Sequence, residues 1–152
     1  MDSENNYFSK NFQKIILVFF APCFIAFLLF FKNNIYESTL QLKNFGNLSM
    51  DPEIAFKNGK PTYLEFYAEW CEICKKMAPE VTELKKDFDE KVNFVFLNVD
   101  NPKWDKFIKQ FKVNGIPQIN IIDSNSNLLA TFTGFQEEKT LKESINYLIE
   151  SG

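Results

Sequence analysis

Two cysteines three residues apart, Cys71 and Cys74 in YLEFYAEWCEICKKMAP (residues 63–79), are the side chains best placed for chemistry. Such a pair can grip a metal, anchor a haem, brace a loop or exchange electrons. The chain of 152 residues carries three cysteines and no histidine, so a Cys2His2 zinc site is impossible. Four-cysteine zinc or iron–sulfur ligation needs a second pair, and the remaining cysteine, Cys23, lies far upstream in an apolar run. A self-contained metal site is not expected. Covalent haem attachment requires a histidine directly after the second cysteine, where Lys75 stands. A structural disulfide stays open, but closing so short a loop removes little unfolded-state entropy. Redox exchange leads by elimination, and it needs no prosthetic group.

The elements that must position the pair follow from periodicity. DPEIAF offers Asp51 as an N-cap and Pro52 at the first helical position. TYLEFY is a short β-rich run ending at the cysteine motif, and after it Met77, Val81, Leu84 and Phe88 recur at helical spacing. VNFVFLNV predicts a buried strand. NPKWDKFIKQF predicts a second helix with Trp104, Phe107, Ile108 and Phe111 as its apolar stripe. QINIID and LLATFT flank the polar turn SNSN as a hairpin, and EEKTLKESINYLIE supplies a last helix. The order α, β, α, β, α, β, β, α implies an α/β domain over 51–152, a mixed central sheet with helices on both faces. A cysteine at the start of a helix meets free N–H groups and the positive end of the helix dipole, which lower a thiol pKa from about 8.5 to ~7 or below. Cys71 is therefore expected to attack, and Cys74, one turn deeper, to resolve.

Upstream, IILVFFAPCFIAFLLFF runs from Ile15 to Phe31 without a charge. About 17 residues at ~1.5 Å each just reach across a hydrocarbon core of ~30 Å. Lys14 and Lys32 bracket the run and can extend their stems to the interfaces. A cleavable signal would end in small residues, whereas this run leaves through Phe30, Phe31, Lys32, Asn33 and Asn34. Pro22 argues against lipidation at Cys23, leaving that cysteine as apolar packing. Residues 15–31 are expected to form one uncleaved N-terminal transmembrane helix after a tail at 1–14, ahead of cleavage or a soluble core helix. Lys10 and Lys14 on one side balance Lys32 and Lys43 on the other, so charge does not orient it. The Asn-rich stretch 32–50 is expected to be a polar tether.

WCEICKKMAP, preceded by YLEFYAE and followed by FVFLNVDNPKW and VNGIPQ, resembles the thioredoxin superfamily in order and spacing across Asp51 to Ile149. WCEIC, LNVDNPKW and the apolar N-terminal run further resemble the thylakoid thioredoxin-like proteins of cyanobacteria and chloroplasts, the TxlA group. The resemblance implies a thioredoxin fold. It implies that Pro117, after Ile116, is a cis-proline against the active disulfide, with Ile116 pairing to a client backbone. Glu65 would match the buried acid that moves protons to the inner cysteine, and burial should raise its pKa. Trp70 would lie beside the disulfide, Pro79 would bend the active-site helix, and Gly134 would border the client surface. Departures accompany these matches. Phe96 replaces the strand lysine that partners the acid, Glu72 and Ile73 replace Gly-Pro between the cysteines, and Gln118 replaces the common threonine. The Glu72 carboxylate should partly offset the dipole's effect on Cys71.

The expected function is a membrane-anchored reductase of protein disulfides. The subgroup resemblance implies a single-pass protein of the thylakoid or plasma membrane whose domain faces the lumen or periplasm. It also implies a CcdA-type membrane thiol transporter as electron donor, and clients that include apocytochromes, linking the chain to cytochrome maturation and b6f assembly. A disulfide oxidant or isomerase is the redox alternative, and a client-binding module with dispensable cysteines is the non-redox one. A net charge of −3 argues against a nucleic-acid partner.

Overall fold

The computed structural model describes the backbone of residues 3–151, with side chains of residues 18–30, 32 and 36–150. The chain divides into two compact units, Met1–Glu37 and Ser38–Gly152. The first helix, α1 (Ser3–Leu48), contains the apolar run and Pro22. Side chains of the tail 1–14, and of residues 15–17 and 31 of the expected anchor, lie outside the described set. Among the described residues no helix is long and apolar enough to cross a membrane. The described part of the run, residues 18–30, is about 20 Å of helix. Its large side chains, Phe19, Phe24 and Leu28 among them, are exposed, and so is the free thiol of Cys23.

Residues 32–50, expected as a polar tether, are helical as far as Leu48. Spacing explains the difference. Ser38, Leu42 and Phe45 recur at i, i+4 and i+7 and share one face of the helix. Ser38 and Leu42 are buried, and the Phe45 ring stacks on Phe96 at 4.5 Å. A three-residue stripe inside an Asn-rich segment was enough to draw this stretch into the core.

After Leu48 the chain enters α2 (Pro52–Ala55), where Asp51 caps the helix by accepting the Glu53 N–H at 3.0 Å and Pro52 opens it. Then follow β1 (Thr62–Tyr67), α3 (Glu72–Phe88), β2 (Asn93–Asn98), a 3-10 turn at Pro102–Trp104, α4 (Asp105–Gln110), β3 (Gln118–Ile122), β4 (Leu128–Thr133) and α5 (Glu138–Ser151). The order from α2 onward matches the sequence expectation. Only the Pro102 segment differs, entering as a 3-10 turn before α4.

The strands form one mixed sheet ordered β2-β1-β3-β4, parallel between β1 and β2 and antiparallel elsewhere. Alternation along β1 divides its side chains between two cores. Tyr63 and Tyr67 join Phe94, Phe96, Ile119 and Ile121 beneath Leu42 of α1, Met77, Val81 and Leu84 of α3, and Leu141 and Ile145 of α5. Leu64 and Phe66 join Val95, Leu97 and Ile122 beneath Ala55 of α2 and Phe107 of α4. All six residues of β1 are buried, as a central strand covered on both faces requires.

Gly46 sits where α1 meets this core. A Cβ built there would lie 2.2 Å from the Tyr67 hydroxyl, on a side chain that is itself buried. Overpacking costs ~1–3 kcal/mol, against a gain of ~1 kcal/mol for replacing a helical glycine by alanine. Gly46→Ala should therefore lose about 1 kcal/mol, read as a lower urea midpoint at unchanged slope.

Candidate functional site

The β1 strand ends at Tyr67, the turn Ala68 to Trp70 reverses the chain, and α3 begins at Glu72 with Cys71 as its N-cap. The Cys71 backbone is extended, at φ −75° and ψ 108°, and its carbonyl accepts the Lys75 N–H at 3.0 Å. Its Sγ accepts the Cys74 N–H at 3.1 Å, so the sulfur takes the place a capping oxygen fills at other helix starts. The two cysteines are joined in a disulfide, with Cα atoms 5.2 Å apart. Cys71 is 5 % exposed and Cys74 fully buried. Of the two, Cys71 is the more accessible to an incoming sulfur.

Glu65 projects from the middle of β1 into the same core face as the cysteines. It is 1 % exposed, pairs in register with Phe96 of β2 and Ile119 of β3, and accepts the Tyr63 hydroxyl at 2.8 Å on Oε2. Burial pushes its pKa up from 4.5 to about 7, and the Tyr63 hydrogen bond pulls the other way. The lysine absent at Phe96 thus leaves an apolar wall, closed from above by the Phe45 ring. Tyr63 was not singled out in the sequence. Its position two residues before Glu65 on a strand was the available signal, because period-2 alternation puts both on one face.

The rim is set by the neighbouring loops. Trp70, directly before Cys71, is mostly exposed. Its indole Nε1 donates to Asp100 Oδ2 at 2.8 Å, which fixes the ring. Asp100 lies thirty residues from Trp70 in sequence, so no local pattern marks it as a partner. Glu72 forms an ion pair with Lys75 at 2.7 Å, so its charge is shared within the first turn of α3 and does not act on Cys71 alone. Ile73 is exposed beside the pair. Pro79 lies inside α3, which continues to Phe88.

The Ile116–Pro117 peptide is cis. Pro117 is buried, and Ile116 packs against the cluster that contains both cysteines. The Pro117 carbonyl accepts the Gly134 N–H at 2.9 Å, tying the start of β3 to the end of β4. Gly134 has φ +85°, a conformation that favours glycine. The next residue, Phe135, places its exposed ring 4.4 Å from Lys76 Nζ, which brings this loop to the first turns of α3. Gln118 is buried and donates through Nε2 to the Phe111 carbonyl at 3.0 Å, a structural bond on the far side of the sheet. A groove of about 240 Å³ between Phe56, Phe111, Ile122 and Leu128 also belongs to the α2 and α4 face.

A family model described as Thioredoxin matches residues 43–147. The chain is similar to the chloroplastic thioredoxin-like protein HCF164 of Arabidopsis thaliana, 39 % identical over 128 residues that cover 84 % of this chain and 49 % of that protein. It is also similar to the thiol:disulfide interchange protein TxlA homolog of Synechocystis, 42 % identical over 95 residues covering 62 % of this chain and 53 % of the other. The chain thus spans about half the length of these curated relatives. Among solved structures, oxidised mitochondrial thioredoxin 3 of Saccharomyces cerevisiae superimposes with a TM-score of 0.54 at 26 % identity, over 63 % of this chain and 88 % of its own.

Proposed function

The chain belongs to the thioredoxin family, and from that premise we propose that it is a membrane-anchored reductase of disulfides in other proteins. One observation carries the proposal: a disulfide at the N-terminus of α3 whose first cysteine keeps a small exposure, 5 %, while the second has none. In the reduced protein the N–H groups opening α3 favour the Cys71 thiolate. That thiolate attacks one sulfur of a client disulfide and expels the other as a client thiolate, leaving a mixed disulfide. Glu65 accepts the Cys74 proton, and the Cys74 thiolate attacks Cys71 Sγ. The client's second sulfur leaves as a thiolate and takes its proton from solvent. Two electrons pass to the client, and the Cys71–Cys74 disulfide is restored. Trp70, Ile73, Ile116, Pro117 and Gly134 form the surface on which the client lies.

Residues 15–31 are the anchor in this proposal. A helix apolar on every side belongs in a core or a bilayer, and the exposed large side chains of residues 18–30 favour the bilayer. Likeness to a chloroplastic and a cyanobacterial protein supports a thylakoid or plasma membrane location, with the domain on the lumenal or periplasmic side. There a CcdA-type transporter would renew the dithiol, and apocytochromes awaiting haem would be clients, placing the chain in cytochrome b6f assembly.

The reduction potential tests the direction of flow. In the full chain held in detergent, with Trp104→Phe so that Trp70 alone reports, the midpoint should fall between about −200 and −270 mV, the range of glutaredoxins and thioredoxin. A midpoint near −120 mV, typical of a disulfide donor, would reverse the assignment.

A further inference from the structure

Among the described residues Glu65 is the one fully buried acid, and the Tyr63 hydroxyl is aimed at it. Tyr63 and Glu65 are both buried, project to the same side of β1, and meet at 2.8 Å between the Tyr63 hydroxyl and Glu65 Oε2. We propose that Tyr63 is a positioning residue for the proton chemistry of the disulfide, holding the Glu65 carboxyl in the orientation and state that accepts the Cys74 proton. The proposal rests on the reductase function set out above.

The surroundings leave this task to Tyr63. The β2 neighbour of Glu65 is Phe96 and the β3 neighbour is Ile119. On the same face β1 adds Tyr67, α1 adds Leu42, α3 adds Met77 with Cys71 and Cys74, and α5 adds Leu141 and Ile145. Among the described buried residues of this cluster the titratable groups beside Glu65 are the two tyrosines and, once reduced, the two cysteines. The α3 helix also keeps the Oε2 of Glu80 out of solvent. Tyr67 is held protonated to about 12, first by burial and then by the charges of Glu69 and Glu65. The Tyr63 phenol is pushed well above its usual value by burial and by Glu65, so it serves as a standing donor and never as the base. A buried carboxylate without a donor carries the full desolvation cost of its charge. Removing the Tyr63 hydroxyl therefore favours the neutral acid, and a neutral acid cannot take the Cys74 proton.

The step can be watched alone. In the full chain with Cys23→Ser, in detergent, the reduced pair is mixed with one equivalent of 5,5′-dithiobis(2-nitrobenzoate). The Cys71 thiolate takes one half as a mixed disulfide and releases the other as a first coloured thiolate, and the second release is followed by stopped flow. Glu65 takes the Cys74 proton, Cys74 attacks Cys71 Sγ, and the coloured thiolate leaves with the electron pair of the broken bond. Release should rise with pH around the Glu65 midpoint of about 7. Tyr63→Phe should move that midpoint up by about one unit and slow release at pH 7 about fivefold, and Glu65→Gln should abolish the limb. In the Glu65→Gln background Tyr63→Phe should change nothing further. Superimposed profiles for Tyr63→Phe and the unmodified chain would overturn the proposal.

A readout on the unsubstituted chain covers the case in which Tyr63→Phe fails to fold. The carbon-13 shift of Tyr63 Cζ should move at the same midpoint as the Glu65 carboxyl carbon. A flat Cζ shift through that titration overturns the proposal even if the exchange chemistry is intact. Absence of thiolate release at every pH would instead remove the reductase function, while the carbon-13 titration still decides the hydrogen bond.

Discussion

Cys74→Ser turns the protein into a trap. With Cys71 free to attack and no second thiol to complete the exchange, a client disulfide should open onto Cys71 and stay there. Client-linked species should then accumulate on non-reducing gels and vanish with dithiothreitol. Multiple turnover should fall by at least about a thousandfold, the scale on which loss of a reacting nucleophile acts. Cys71→Ser should lose turnover equally and trap nothing, because Cys74 is fully buried and no client sulfur can reach it. The contrast between the two variants is the sharper test. If Cys74→Ser captures no client, or if Cys71→Ser captures as much, the roles drawn from exposure are wrong. A client-binding module would keep its phenotype in both.

Glu65→Gln should act on stability and on rate in opposite directions. Below pH 4.5 folded and unfolded chains both hold the Glu65 proton. Between 4.5 and about 7 only the folded chain holds it. Folding stability therefore falls as pH rises through this window and stays low above it, the reverse of a salt-bridged acid. The shift corresponds to about 3 kcal/mol, at about 1.4 kcal/mol per unit. Urea denaturation of Glu65→Gln should thus show a gain over the unmodified chain at pH 8 that is absent at pH 4, while turnover drops about a hundredfold for want of the base. An equal stability difference at both pH values would mean that Glu65 is not a raised, buried acid.

How much of this was legible beforehand differs by region. From Asp51 onward, helical and strand periods alternate, with a clear cap at Asp51, and the order of elements could be read directly. The cysteine pair at a strand-to-helix turn carried its own chemistry. The stretch from Ser38 to Leu48 was misjudged because its polarity dominates its composition, while only the assembled sheet reveals that Leu42 and Phe45 have a surface to cover. Tyr63 was overlooked for a related reason. TYLEFY is apolar at nearly every position, as a strand buried on both faces must be, so alternation groups Tyr63, Glu65 and Tyr67 on one side without telling which side holds the cysteines. Asp100 binds Trp70 across thirty residues of sequence, a pairing that no local pattern encodes.

The burial of Leu42 under the sheet, with Phe45 laid on Phe96, also bears on how the protein would be degraded. A protease cutting between Ser38 and Leu48 would not shed a working enzyme into solution. It would strip side chains from the core that holds Glu65 and both cysteines, and the severed domain would lose stability at the moment of its release. A burial of this kind, at about 2–5 kcal/mol for a leucine truncated in a core, is a large share of a small domain's total stability. Clipping at this segment would therefore silence the thiol chemistry instead of spreading it, and would hand the remnant to further digestion.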